Sequence, residues 1–186
     1  YTNTNSGVDP AQPMAAGLNP LACFGNPGAT PVVGNPGWFS VTAADPLLAD
    51  AVGTAAVTID GHPAVDIDGT IQRIPVRNVV EYFGIDGAVA VDRRNVVDIA
   101  NCDNCHKELS LHGNNRTDEP QVCVTCHNPN ATDARQRTGD PCVATLGADD
   151  VPIDFKYMIH AIHGSGESGV PYQVCGFRNS VHEYSE

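Results

Sequence analysis

The chain has 186 residues, 41% of them hydrophobic and only 6% aromatic, so side chains alone build a modest core for this length. Ten basic against 22 acidic residues give a formal net charge of −12, which repels a phosphate backbone and excludes nucleic acid as a partner. No apolar run approaches the roughly 18 residues of a membrane-spanning helix, and 18 glycines with 14 prolines favour turns and short elements over a helical bundle.

Residues 1–50 hold "TNTNSGVDPAQPMAAGLNP" and "GNPGATPVVGNPGW" and sustain neither a helical nor a strand period. They read as a loop-rich arm anchored through Phe24, Trp38 and Phe39 along a surface or a neighbouring subunit. The chain opens on Tyr1 with no basic-then-apolar segment, which suits a processed or excised N-terminus.

Residues 51–100 read as a small β-rich domain. "TAAVTIDG", with Val57 and Ile59 alternating against Thr58 and Asp60, is followed by "IQRIPVRNVVEYF", "AVAVD" and "NVVDIA", together four or five short strands. Asp60-Gly61, Asp68-Gly69 and Asp86-Gly87 separate the runs, and such pairs mark hairpins, so a partial antiparallel β-barrel or sandwich is expected. "DIDGT", Asp66 to Thr70, has half the ligands of a calcium loop; an acidic β-turn is the better reading.

From residue 101 to 186 the β signal fades and cysteine, histidine and proline take over. One helix stands out in "VPIDFKYMIHAIHG": Asp154 caps it, Phe155, Met158, Ile159 and Ile162 form its apolar stripe, and Gly164 stops it. "GSGESG", Gly164 to Gly169, reads as a flexible connector. "NRT" and "NAT", starting at Asn115 and Asn130, match the glycosylation pattern, which means little without a host.

The chemistry concentrates in Cys102-x-x-Cys105 and Cys123-x-x-Cys126, separated by 17 residues. That spacing suits a four-cysteine zinc ribbon, and a single such pair suits thiol redox chemistry. His106 and His127 stand directly behind the two pairs, and with 7 histidines in 186 positions the odds of both by accident are roughly one in seven hundred. Two c-type haem attachment motifs explain both: the thiols add to the macrocycle's two vinyl groups, and the adjacent imidazole reaches the iron. Two covalent haems c would also supply the apolar surface that the side chains lack.

Each iron needs a second axial ligand. Met14 and Met158 are the only methionines, so the supply is overwhelmingly imidazole and low-potential bis-histidine haems are expected. His112, His160, His163 and His182 are the distal candidates, whereas His62 in "DGHPA" reads as a turn residue. Four candidates exceed what two haems require, so spare imidazoles reach haems on another chain or in further sequence. Haem c is assembled outside the cytoplasm, where thiols oxidise, which makes Cys142 with Cys175 a candidate disulfide bracketing the two-histidine helix. Two free buried thiols are the alternative, and Cys23 is left over.

"VVDIANCDNCHKELSLHGNNRTDEPQVCVTCHNPNATD", "IDFKYMIHAIHGSG" and "VCGFRNSVHEYSE" closely resemble the outer-surface multihaem cytochromes of the OmcA/MtrC family, and "RIPVRNVVEYF" is similar to the end of that family's β-rich domain. The resemblance covers residues 54–186. It implies an extracytoplasmic electron carrier at the cell surface or beyond, passing electrons to metal oxides, flavins, other haem proteins or further copies of itself. It also implies distal-ligand roles for His112, His160, His163 and His182. Family members carry about ten motifs and this chain two, which implies a fragment, haems on separate chains, or a two-haem unit that assembles into a filament.

The expectation is therefore a mixed, mostly irregular fold, with a small antiparallel barrel or sandwich portion followed by a loop-rich, haem-packed module with one or two short helices. Its function is electron transfer rather than catalysis. A haem enzyme of the peroxidase or nitrogen-oxide reductase type, with one open iron site, and a zinc-ribbon binding module are the rivals.

Overall fold

The computed structural model describes residues 29–41, 47, 49–147 and 149–185. Met14, Cys23 and Phe24, singled out above, lie outside them. The chain divides into two compact units. The smaller, Ala15–Ala51, holds a short antiparallel hairpin of β1 (Ala29–Pro31) and β2 (Phe39–Val41), with Trp38 exposed at its turn.

The larger unit takes in Val52–Glu186 and so joins the β-rich stretch and the cysteine motifs in one body. β3 (Gly53–Ile59) pairs antiparallel with β6 (Val79–Ile85), from Gly53 opposite Ile85 to Ile59 opposite Val79. Between them stands the hairpin of β4 (Ala64–Ile67) and β5 (Thr70–Arg73). Its turn has φ of 51° at Asp68 and 80° at Gly69, the two left-handed residues of a type I′ hairpin, and the Gly69 amide donates to Asp66 Oδ1 at 2.8 Å. "DIDGT" is thus an acidic turn.

No barrel or sandwich closes among the described residues. Among the described residues every sheet is a two-stranded antiparallel ribbon. Only Asp68-Gly69 of the three Asp-Gly pairs makes a hairpin, because β3 takes β6 as its partner and no strand follows Asp86-Gly87. "AVAVD" and "NVVDIA" form no strand, and Val89 and Val91 are exposed. Val57 and Ile59 also lie open while Ala55, on the same face, is covered.

Gly84 in β6 is required by packing. A Cβ there would run into the Ala88 carbonyl, a backbone atom held in place because the Ala88 amide donates to Ile85 O at 3.1 Å. Gly84→Ala is expected to destabilise the larger unit by about 1–3 kcal/mol, read as an earlier urea midpoint with an unchanged slope.

Four α-helices follow: α1 (Ile99–His106), α2 (Pro120–Cys126), α3 (Cys142–Leu146) and α4 (Phe155–Ser168). The first two occupy the stretch expected to be irregular. Each has a carboxylate cap, Asp98 accepting from the Ala100 amide and Glu119 from the Gln121 amide, and Pro120 suits the first turn of α2. α4 is capped by Asp154 as expected but passes through Gly164 and ends at Gly169, whose φ is 66°. The supposed connector is helical because Ser165 is buried and its hydroxyl donates to Ile162 O at 2.8 Å. Packing outweighs the low helix propensity of glycine and serine there.

Two short ribbons complete the unit, β7 (Ser110–Leu111) with β8 (Arg116–Thr117) and β9 (Tyr172–Cys175) with β10 (Val181–Tyr184). The core is small and rich in polar groups. Val122, Val124, Ala131 and Tyr172 are buried, and so are Asn78, Thr117, Asn128 and Asp133. Asp133 Oδ1 accepts from Arg137 Nε and the Val151 amide, and its Oδ2 from the Cys175 amide, each at 2.8 Å. One satisfied buried carboxylate thereby ties its own turn, 133–137, to the segments of Val151 and Cys175, where an unpaired one would be costly. Cys142 and Cys175 are joined by a disulfide with Cα atoms 5.8 Å apart.

Candidate functional site

Both cysteine motifs ride on helices, and the helical period explains why the residue order works. Positions i, i+3 and i+4 share one face, so Cys102, Cys105 and His106 on α1 are neighbours. The same spacing recurs on α2 with Cys123 and Cys126, and His127 follows as its C-terminal cap. All four motif cysteines are free thiols, Cys105 and Cys126 exposed and Cys102 and Cys123 partly covered. Burial pushes the Cys123 thiol up to about 11 and raises that of Cys102. A reactive redox cysteine requires the opposite shift.

The fold brings four of the histidines together in two pairs. His106 and His163 have ring centroids 6.1 Å apart, nearly perpendicular at 81°. His112 and His127 have centroids 6.2 Å apart, tilted by 32°. A metal bonded to one nitrogen of each ring, at about 2.0 Å per bond, holds two imidazole centroids roughly 6 Å apart. Each pair joins a histidine behind a Cys-x-x-Cys to one outside any motif.

Second contacts orient the rings. The Nδ1 of His127 lies 2.7 Å from Ile153 O, and that of His163 lies 2.8 Å from Ile159 O. A carbonyl only accepts, so Nδ1 carries the proton in both rings and Nε2 is left as the metal-binding nitrogen. Burial lowers the pKa of His112, helped by the Arg116 charge, and burial lowers that of His127 against the Ile153 carbonyl. Both rings are neutral at pH 7, the form that ligates.

The other histidines belong to neither pair, although His182 stands near enough for its charge to add to the lowering of the His112 pKa. His160 lines a cavity of about 310 Å³ with Tyr157 and Tyr172. His182 lies against Gly176, which has no Cβ to obstruct it, and its Nε2 is 3.0 Å from Ser180 Oγ. His62 sits in the loop after β3 with Nδ1 3.2 Å from Pro63 O.

Two buried acceptors have no partner: Asp103 Oδ1 inside the first motif, and Asn128 Oδ1 directly after His127. Orphaned polar atoms of this kind suit a site completed by a further group. Among the described residues no three His, Cys, Asp or Glu side chains gather where one metal ion could be held. The four thiols therefore do not have the tetrahedral arrangement of a zinc ribbon.

Sequence reasoning missed two contributors. The Ile153 carbonyl, a backbone group, leaves no side-chain signature; the Arg116–Asp60 ion pair, 2.7 Å apart beside His112, joins residues distant in sequence.

Residues 94–184 match the family described as outer membrane cytochrome MtrC/MtrF-like, domains II/IV. No curated protein and no solved structure matches the chain.

Proposed function

We propose, from the match of residues 94–184 to the MtrC/MtrF-like family of outer membrane cytochromes, that this chain is a dihaem electron carrier of extracellular electron transfer. One observation carries the proposal: two imidazole pairs, 6.1 and 6.2 Å between centroids, each match one Cys-x-x-Cys-His histidine with one distal histidine. Cys102, Cys105 and His106 would hold one haem c, with His163 as its distal ligand. Cys123, Cys126 and His127 would hold the other, with His112.

Bound haem supplies a one-electron couple, and two imidazoles on one iron set that couple low. With His106 and His163 holding one iron and His112 and His127 the other, no position would be left for a substrate, and the chain would act as a carrier and not as an enzyme. The residues' own work is to attach, to orient Nε2 through the Ile153 and Ile159 carbonyls, and to wall the site. His160 and His182 are spare under this assignment and would serve haems on another haem protein, a second copy, or further sequence. Metal oxides or flavins are the proposed terminal acceptors. No helix among the described residues is long and apolar enough to cross a membrane; the proposed place, at or beyond the cell surface, rests on the family match.

Intact mass of the denatured chain, with a pyridine haemochrome spectrum of the same sample, tests this. The expected mass is the polypeptide plus two haems. A colourless chain releasing about one zinc to a chelator would sink the proposal in favour of the ribbon. A high-spin band that shifts with cyanide would favour the haem enzyme.

A further inference from the structure

Beside the His112–His127 pair stands an ion pair that the attachment chemistry leaves without a role. Arg116 Nη2 lies 2.7 Å from Asp60 Oδ2, with the two side chains 33% and 36% exposed. An ion pair this open adds little to stability.

Its location is specific. Arg116 opens β8 opposite Leu111, so it closes the base of the turn 112–115 whose first residue is His112. That turn is pinned: Asn115 Nδ2 donates to His112 O at 3.0 Å, Asn114 Nδ2 donates to Arg73 O at 2.8 Å, and the Gly61 amide donates to Asn115 O at 3.0 Å. Asp60 directly precedes Gly61, so the contact that seats the turn also seats the carboxylate against Arg116. Both charges are thus fixed relative to the His112 ring, which stands 6.2 Å from His127.

Resting on the haem sites argued above, we propose that the Arg116–Asp60 pair sets the reduction potential of the haem held between His112 and His127, with Arg116 raising it and Asp60 lowering it. Reduction adds one negative charge at the iron. A neighbouring cation favours that change and a neighbouring anion opposes it, and at one-third exposure solvent and salt screen the field only in part.

The test is a redox titration of the chain with both haems bound, followed by the haem-methyl NMR signals that separate one haem from the other. Arg116→Gln is expected to lower the midpoint of the second-motif haem and Asp60→Asn to raise it. Each shift is expected to be about tenfold in the equilibrium constant of the couple, about 59 mV for one electron. Arg116→Lys keeps the charge and the wild-type midpoint, and the haem of His106 stays where it was in every variant. If Arg116→Gln and Asp60→Asn shift the midpoint in the same direction, or neither shifts it, the pair is only structural and the inference is overturned. A chain that binds no covalent haem overturns the proposed function and this inference with it.

Discussion

Under the proposed ligation, His112→Met is expected to raise the midpoint potential of the haem on Cys123 and Cys126 by roughly a few tenths of a volt and to leave the haem on Cys102 and Cys105 in place. The thioether is a weaker donor to ferric iron than an imidazole, so exchanging one for the other destabilises the oxidised state. Axial ligands span roughly 0.8 V of haem potential, and methionine–histidine sites lie above bis-histidine sites. His163→Met does the same to the first haem, because its ring is the one 6.1 Å from His106. His160→Met is the discriminating variant. His160 and His163 lie on one helix only three residues apart, yet only His163 pairs with His106, while His160 faces a separate cavity. Spectroelectrochemical titration of the three variants decides the ligand set. A first-motif haem that shifts with His160→Met and not with His163→Met assigns the distal ligand to the wrong turn of α4.

The grouping of the proposed attachment residues was legible in the sequence, because Cys102, Cys105 and His106 fall within about one helical turn. The pairing of His163 with His106 and of His112 with His127 was not. It depends on where α4 and the turn 112–115 are carried by contacts between distant segments, such as Asn78 with Thr117 and Asn115. Strand propensity misled where no ladder formed: Val89, Val91 and Val96 look like strand residues but pair with no strand and stay exposed, Val91 meeting β3 through a side chain when its amide donates to Thr54 Oγ1 at 2.9 Å. Three Asp-Gly pairs looked equivalent, and the pairing of β3 with β6 left only the middle one as a hairpin. Gly164 read as a stop because its propensity was weighed without the burial of Ser165. These readings failed for a common reason: local preference was decided by a contact that the local sequence does not contain.

Replacing Cys142 and Cys175 together by alanine is expected to cost about 4 kcal/mol, the chain-entropy value for a cross-link spanning 33 residues. For a unit of this size that is a fall in Tm of roughly 10 °C, read by calorimetry with and without reductant on the wild type. The position of the bond makes the loss functional as well. Cys142 lies on α3, and Cys175 ends β9, where its amide is bound by Asp133 Oδ2. The same carboxylate holds the Val151 amide, two residues before the Ile153 carbonyl that orients His127. Between the two cysteines runs α4 with His163. Opening the cross-link is expected to loosen both ends of the segment that carries the proposed distal ligand His163 and the carbonyl that orients His127. Low-spin haem signals are therefore expected to weaken at temperatures where the wild type is intact, ahead of global unfolding. If reductant leaves both the Tm and those signals unchanged, Asp133 and Arg137 hold the segment without help from the disulfide.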